Sequence, residues 1–327
     1  MLHGLHLGRS PRWLDPSLPF PTGGLALLTS FLCGSATPVL AKVVSGELSP
    51  VAILLVSELC TIATFSLLSG PLRAAREVRA LTPQQRRRGV LAVLLTGVVG
   101  HLFWLSGLRW STATNATLLS SIDVLFTTLL TWILIGQRPH RSQFLALPIV
   151  ILGAATIILR GFTGSFAPQA GDVLLLFCAA SFSLGNSLFH EALRGVHAGS
   201  FLIVRSSVSL CCLIPLALIL QTPLSELANL SAAIIPSVLA FVLISRVIGT
   251  FSHFSALSVF PASSVSLWMT SNLVGSALLA TLMLGEMPRW YHLVGGLAIA
   301  LGTVIYELGE LRRASRRGAL GTGEVRQ

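Results

Sequence analysis

The chain has 327 residues, of which 53% are hydrophobic and only 10% charged, and its mean hydropathy is +0.80. A soluble domain carries roughly 25% charged residues, so these values exclude a soluble enzyme, a disordered chain and a secreted disulfide scaffold. The net charge of +10 does not signal nucleic acid, because the basic residues cluster between apolar runs and at the C-terminus, as membrane-orientation signals do.

A membrane-spanning helix takes about 20 mostly apolar residues. Ten segments qualify: 23–44, 50–70, 89–109, 114–136, 142–160, 170–190, 199–220, 233–258, 263–285 and 290–308. Residues 1–22 precede them as a tail with Arg9, Arg12 and Pro11, without the pattern of a cleaved signal peptide. Residues 309–327 follow as a second tail with no globular pattern. The loops are short, so neighbouring helices are expected antiparallel. If the N-terminus is cytoplasmic, the inner side receives the arginines of 73–88, 138–141, 194 and 312–326. The outer side receives only Lys42, Arg109, Arg160 and Arg289. The positive-inside rule therefore puts both termini in the cytoplasm, and a bacterial-type plasma (inner) membrane is the expected location. Cys33, Cys60, Cys178, Cys211 and Cys212 all lie inside apolar stretches and read as small buried hydrophobes. No pattern for a metal or a cofactor is present, and none is expected.

A shift of about 149 residues lays the chain on itself. Val93, Leu94, Val98, Gly100, Ser106 and Leu108 fall on Val242, Leu243, Val247, Gly249, Ser255 and Leu257. The register continues without a gap through Gly136 on Gly285, Pro139 on Pro288 and Gly153 on Gly302. Each copy holds five predicted helices, 23–161 and 170–308. An odd number makes the second copy enter the membrane from the opposite side. The expected fold is therefore all-α and integral to the membrane, with ten transmembrane helices in two inverted five-helix repeats. Inverted repeats place a substrate site near the midplane, where the copies meet.

These two repeats, each with a Gly-(Gln/Glu)-x-Pro turn before its last helix (Gly136–Pro139 and Gly285–Pro288) and a late Gly153 or Gly302 in that helix, resemble the EamA-type drug/metabolite transporter superfamily. Gln137 stands where the first turn usually has Glu, and Glu286 keeps it in the second. Arg205 fits the basic residue that members often carry early in the second helix of a repeat, and the first copy has Glu58 nearby. The resemblance implies ten helices and export or exchange of small metabolites.

Charges at bilayer depth are costly and usually face a cavity or a partner. Glu58, Asp123, Arg205 and Arg246 fall inside predicted helices, joined by His101 and His253. Helical spacing puts Arg246, Gly249, Thr250 and His253 on one face, and Gly97, Gly100, His101 and Trp104 on the matching face of the other copy. That face lines a cavity or packs closely against another helix. Asp123 matches Asn272, a carboxylate against its neutral isostere. Asp123 and Glu58 are candidates for proton coupling or substrate contact. Alternatively Asp123 pairs with Arg246, or Glu58 with another cation, to hold the bundle. Arg246 offers a bidentate fork for a carboxylate. Arg205 is near enough to the cytoplasmic end to snorkel. Asn115 shares a helix with Asp123, and Trp104 and Trp268 offer aromatic walls. Pro38, Gly34 and Ser35 make the first helix a candidate moving element.

The expected function is secondary transport of a small polar or amphiphilic metabolite by alternating access, with the substrate and the lipid bilayer as partners. No Walker A pattern supports direct ATP use. An intramembrane enzyme and a non-transporting receptor or scaffold are the alternatives. No nucleophile motif favours the enzyme, and the repeat gives a receptor no use for its symmetry.

Overall fold

The computed structural model describes residues 23–135, 141–162, 170–192, 196, 198–259, 265 and 268–323. The N-terminal tail and Gln137 with its turn therefore lie outside the described residues. Helices run in chain order as α1 (Gly23–Glu47), α2 (Pro50–Ser69), α3 (Pro71–Ala80), α4 (Pro83–Trp110), α5 (Ala113–Ser120) and α6 (Asp123–Ile135). They continue as α7 (Arg141–Ile158), α8 (Ala170–Ala192), α9 (Ala198–Leu220) and α10 (Thr222–Ala228). Next comes α11, made of Ile235–Ala240, Phe241–Gly249 and Thr250–Val259 in one run, then α12 (Asn272–Leu284) and α13 (Trp290–Gly323). Seven helices among the described residues are long and apolar enough to cross a membrane.

Local chemistry sets the starts. Ser49 Oγ accepts from the Ala52 amide ahead of Pro50, and Thr82 with Gln85 forms a capping box ahead of Pro83. Both satisfy N–H groups that a first helical turn leaves orphaned. Thr112 Oγ1 does the same for Asn115 N at 3.0 Å. Two short helices, α3 and α10, occupy segments expected as loops. In α3, Ala74 is buried while Arg73, Arg76 and Arg79 are exposed, as on an amphipathic surface helix. The C-terminal segment also departs from expectation, since α13 continues as helix to Gly323.

Large aliphatic side chains cover the outside: Leu67 is 88% exposed and Ile219 79%. In water such a surface would drive aggregation; against lipid tails it costs nothing. The interior is rich in hydroxyls, such as Ser57 and Thr61, which bond to the carbonyls of Ile53 and Ser57 one turn back, each at 2.7 Å. This is how a polar side chain sits in an apolar bundle without an unmet donor.

The 149-residue register reappears in space. The matched helices α7 and α13 pack on each other. A Cβ at Gly153 would stand 2.7 Å from the Gly295 carbonyl oxygen, and one at Gly302 would stand 3.2 Å from that of Ala146. Early residues of one helix meet late residues of the other, so matched helices run antiparallel. Only small residues allow this close approach. α2 pairs with its match α9. α1 packs against α11 and α12 of the second copy, and α8 against α4 and α6 of the first. Each copy thus lends its first helix to the other.

Candidate functional site

The first device of the site is a pair of wide turns. Within α4 the segment Leu94–Gly100 is π-helical, and within α11 so is Phe241–Gly249. Both end at matched glycines. A Cβ at Gly100 would stand 2.9 Å from the Leu95 carbonyl oxygen, and one at Gly249 would stand 2.9 Å from that of the matched Ile244. The next residue in each copy bonds to a carbonyl five residues back: His101 Nδ1 with Thr96 O at 2.5 Å, and Thr250 Oγ1 with Ser245 O at 3.3 Å. π turns inside α-helices often mark functional positions.

Around these turns four helices bring charge together. Glu58 is fully buried in α2. Its Oε1 receives Arg246 Nη2 at 2.5 Å and lies 3.6 Å from Arg205 Nη2. Ser206 Oγ donates to its Oε2 at 2.5 Å. Arg246 Nη1 lies 2.6 Å from His101 Nε2. Arginine can only donate, so His101 Nε2 is the acceptor and the ring is neutral. Its proton sits on Nδ1, facing the Thr96 carbonyl. Arg205 and Arg246 are each only 7% exposed. The cluster thus holds two guanidinium groups against one carboxylate, an excess of one positive charge in a medium that opposes bare charge.

A second polar cluster lies where α5, α8 and the start of α13 meet. Asp172 Oδ1 accepts from Ser111 Oγ at 2.6 Å and from Asn115 Nδ2 at 3.1 Å. Asn115 Oδ1 lies 3.0 Å from His292 Nε2. The Glu286 carboxylate accepts from the Ala113 and Thr114 amides at 2.9 and 3.1 Å. A residue of the second copy's Gly-Glu-x-Pro turn thereby caps the N-terminus of α5 in the first copy, where negative charge is favoured. Lys42 Nζ donates to the carbonyls of Leu108 and Ser111, each at 2.5 Å.

Among the residues expected from sequence, Glu58, His101 and Arg246 come together. Of the two ion pairs considered from sequence, Glu58 with another cation is the one formed, with Arg246, and the Asp123–Arg246 pair is not. Arg205 does not snorkel; it is buried beside Glu58. Asn115 belongs to the second cluster. Asp123 and Asn272 begin α6 and α12 just after matched turns at residues 121–122 and 270–271. Ser183 Oγ donates to the Asp123 carbonyl at 2.7 Å, and Ser35 Oγ donates to Asn272 Oδ1 at 3.3 Å. Thr250 serves its π turn. His253 is half-buried with its ring edge toward Phe254. Trp104 is half-buried against the core, whereas Trp268 is 46% exposed. Gly249 faces Cys33 and Gly100 faces Phe182, so these two glycines serve close packing. Gly97 instead faces Arg205 and Ser209.

Sequence reading missed Ser206, Asp172, Glu286 and His292 as partners. The intramembrane charge of Arg205 was the one signal it had for a further cluster member. Among the described residues no group of three or more His, Cys, Asp or Glu is placed to hold a metal ion.

The EamA-like transporter family matches this chain twice, over residues 21–159 and 169–307. A protein of Methanothermobacter thermautotrophicus described as an uncharacterized transporter is 30% identical over 102 residues. That stretch is 30% of this chain and 30% of the relative. One solved crystal structure of another protein superposes with a TM-score of 0.55 at 18% identity, covering 88% of this chain and 97% of that one; this likeness is one of fold. The chain belongs to the EamA-like transporter family and is a multi-pass membrane protein.

Proposed function

We propose that this member of the EamA-like transporter family is a secondary transporter that moves a small polar or amphiphilic metabolite by alternating access. Ten transmembrane helices form two inverted repeats, 23–161 and 170–308, in the plasma membrane with both termini cytoplasmic. One observation carries the reading. Matched helices run antiparallel, and the buried Glu58–Arg246–His101–Arg205 cluster lies where α2, α4, α9 and α11 of the two copies converge. Two opposed copies around a polar centre can rock to open it to either side in turn. The breaks before α6 and α12 support the same view, because interrupted helices are a recurring part of such sites.

In this reading Glu58, His101 and Arg246 meet the substrate, with Trp104, Thr250, His253 and Trp268 along its path. Asn115 acts at the outer cluster, and Asp123 and Asn272 at the half-helix starts. Proton coupling falls to Glu58 or Asp123. An intramembrane enzyme or a silent receptor has no comparable support.

The test is a comparison of metabolites inside and outside cells that express the wild-type chain or Asp123→Asn. Wild type is expected to deplete or accumulate a defined set. Loss of that effect in the variant puts Asp123 in the mechanism; its persistence returns Asp123 to a structural role. A correctly inserted wild type that moves nothing across a broad panel, yet forms a product in detergent, overturns transport in favour of catalysis.

A further inference from the structure

We infer that the substrate is a small organic anion bearing a carboxylate, held between Arg205 and Arg246. This inference rests on the transport reading above. Three observations carry it. The first is charge: two buried guanidinium groups face one carboxylate and a neutral imidazole. The second is unmet donors. Arginine has five N–H donors. Arg246 uses Nη1 and Nη2, while its Nε is buried without a partner. Among the described residues Arg205 has no hydrogen-bond partner, and its nearest carboxylate oxygen stands at 3.6 Å, beyond ordinary hydrogen-bond range. The third is a further free hydroxyl. Among the described residues Ser209 Oγ is buried without a partner, as several other serine oxygens are, but it alone of them stands beside Gly97. It lies with Arg205 Nε beside Gly97, at 2.6 and 3.6 Å from where a Cβ there would stand.

A purely structural triad inside a membrane satisfies its donors, since each one left open is costly. This cluster instead has surplus donors and surplus positive charge. Glu58 takes one face of Arg246 and leaves Nε open, and Arg205 is held near Glu58 by charge alone. A monoanionic carboxylate supplies the missing charge and acceptor oxygens together. Glu58 then sets the affinity. It competes for the arginines, which keeps binding reversible, as a transport cycle requires.

The experiment uses the full chain in nanodiscs and in proteoliposomes. The probes are acetate, propionate, lactate and benzoate, each beside its neutral amide. Melting of the nanodisc sample reads binding, and uptake of the radiolabelled probe reads movement. At least one acid is expected to raise the melting temperature and to enter the vesicles, while its amide does neither. Glu58→Gln is expected to bind that acid about tenfold more tightly, and Arg205→Met about tenfold more weakly, from the loss of one neighbouring charge. Arg205→Lys keeps the charge and is expected to keep binding, which covers the case in which Arg205→Met fails to fold. Acids and amides acting alike overturn the anion site, while movement of either keeps transport. Acids that bind but do not move keep the site and overturn transport. Absence of both binding and movement overturns both, and variants that change melting without changing the response to acid reduce the cluster to scaffolding.

Discussion

Replacing Glu58 with Gln preserves shape and removes the one negative charge facing Arg205 and Arg246. The Glu58 side chain is fully buried and both arginines are more than nine-tenths buried, so water cannot take over the lost charge. Removing one partner of a buried pair costs about 3–5 kcal/mol, because the remaining ion stays stranded. For a chain this long, each kcal/mol shifts melting by about 2 °C. Glu58→Gln is therefore expected to melt about 6–10 °C below wild type. The assay is fluorescence-detected melting of purified protein in detergent. Arg205→Met alone relieves the surplus positive charge and is expected to cost less than about 2 kcal/mol. The double variant then recovers part of the Glu58→Gln loss, a coupling that a double-mutant cycle isolates. If Glu58→Gln melts within about 1 °C of wild type, or if the two losses simply add, the cluster is not an electrostatic unit and the reasoning fails.

Other consequences follow from packing and capping. Gly153→Val puts a side chain 2.7 Å from the Gly295 carbonyl oxygen, and is expected to cut the yield of folded protein with a cost of about 3 kcal/mol. Gly24→Ala meets nothing within 4 Å and serves as the neutral comparison in the same size-exclusion assay. Glu286→Ala removes the cap of α5 and is expected to lower stability by about 1–2 kcal/mol, with Glu286→Gln intermediate because one acceptor oxygen remains; melting curves of the three proteins decide it. Asp172→Ala leaves Ser111 Oγ and Asn115 Nδ2 without their shared acceptor, at a cost of about 1–3 kcal/mol. A cysteine at Ser111, which is a buried position, in a chain freed of its native cysteines, is then expected to react faster with a membrane-impermeant maleimide, and an unchanged rate refutes the idea that Asp172 keeps this position shielded.

Much of the fold is legible in the sequence because a membrane enforces a simple rule. Every backbone group must be paired internally, so long apolar runs become helices, and α1, α2, α7 and α9 lie close to the expected spans. The repeat is legible too, through Gly153 with Gly302 and Pro139 with Pro288, since glycine and proline are kept where geometry needs them rather than where hydrophobicity does. Surface helices such as α3 are harder to read, because a short run with several arginines resembles a loop. The breaks at residues 121–122 and 270–271 fall on short polar steps, Ser120 and Ser121 before Asp123 and Thr270 and Ser271 before Asn272, which a window of about 20 residues averages away.

The candidate site divides along the same line. That Glu58, Asp123, Arg205 and Arg246 needed partners follows from their residue types and the apolar sequence around them. Which partners they took does not. Glu58 and Arg246 stand 188 residues apart in the chain, and Asp123 was an equally good match by charge. Two π turns shift the faces of α4 and α11 away from ideal helical spacing, which sends Gly100 and Gly249 into packing while Arg246 meets Glu58 and His101. Sequence alone determined the solvent, the long apolar helices and the two-fold repetition, since these depend on the hydrophobicity and local geometry of each segment. Only tertiary structure decided the ion pairs, the tautomer of His101 and the surplus donors of Arg205. Those depend on where helices distant in sequence meet, to within about the length of a hydrogen bond.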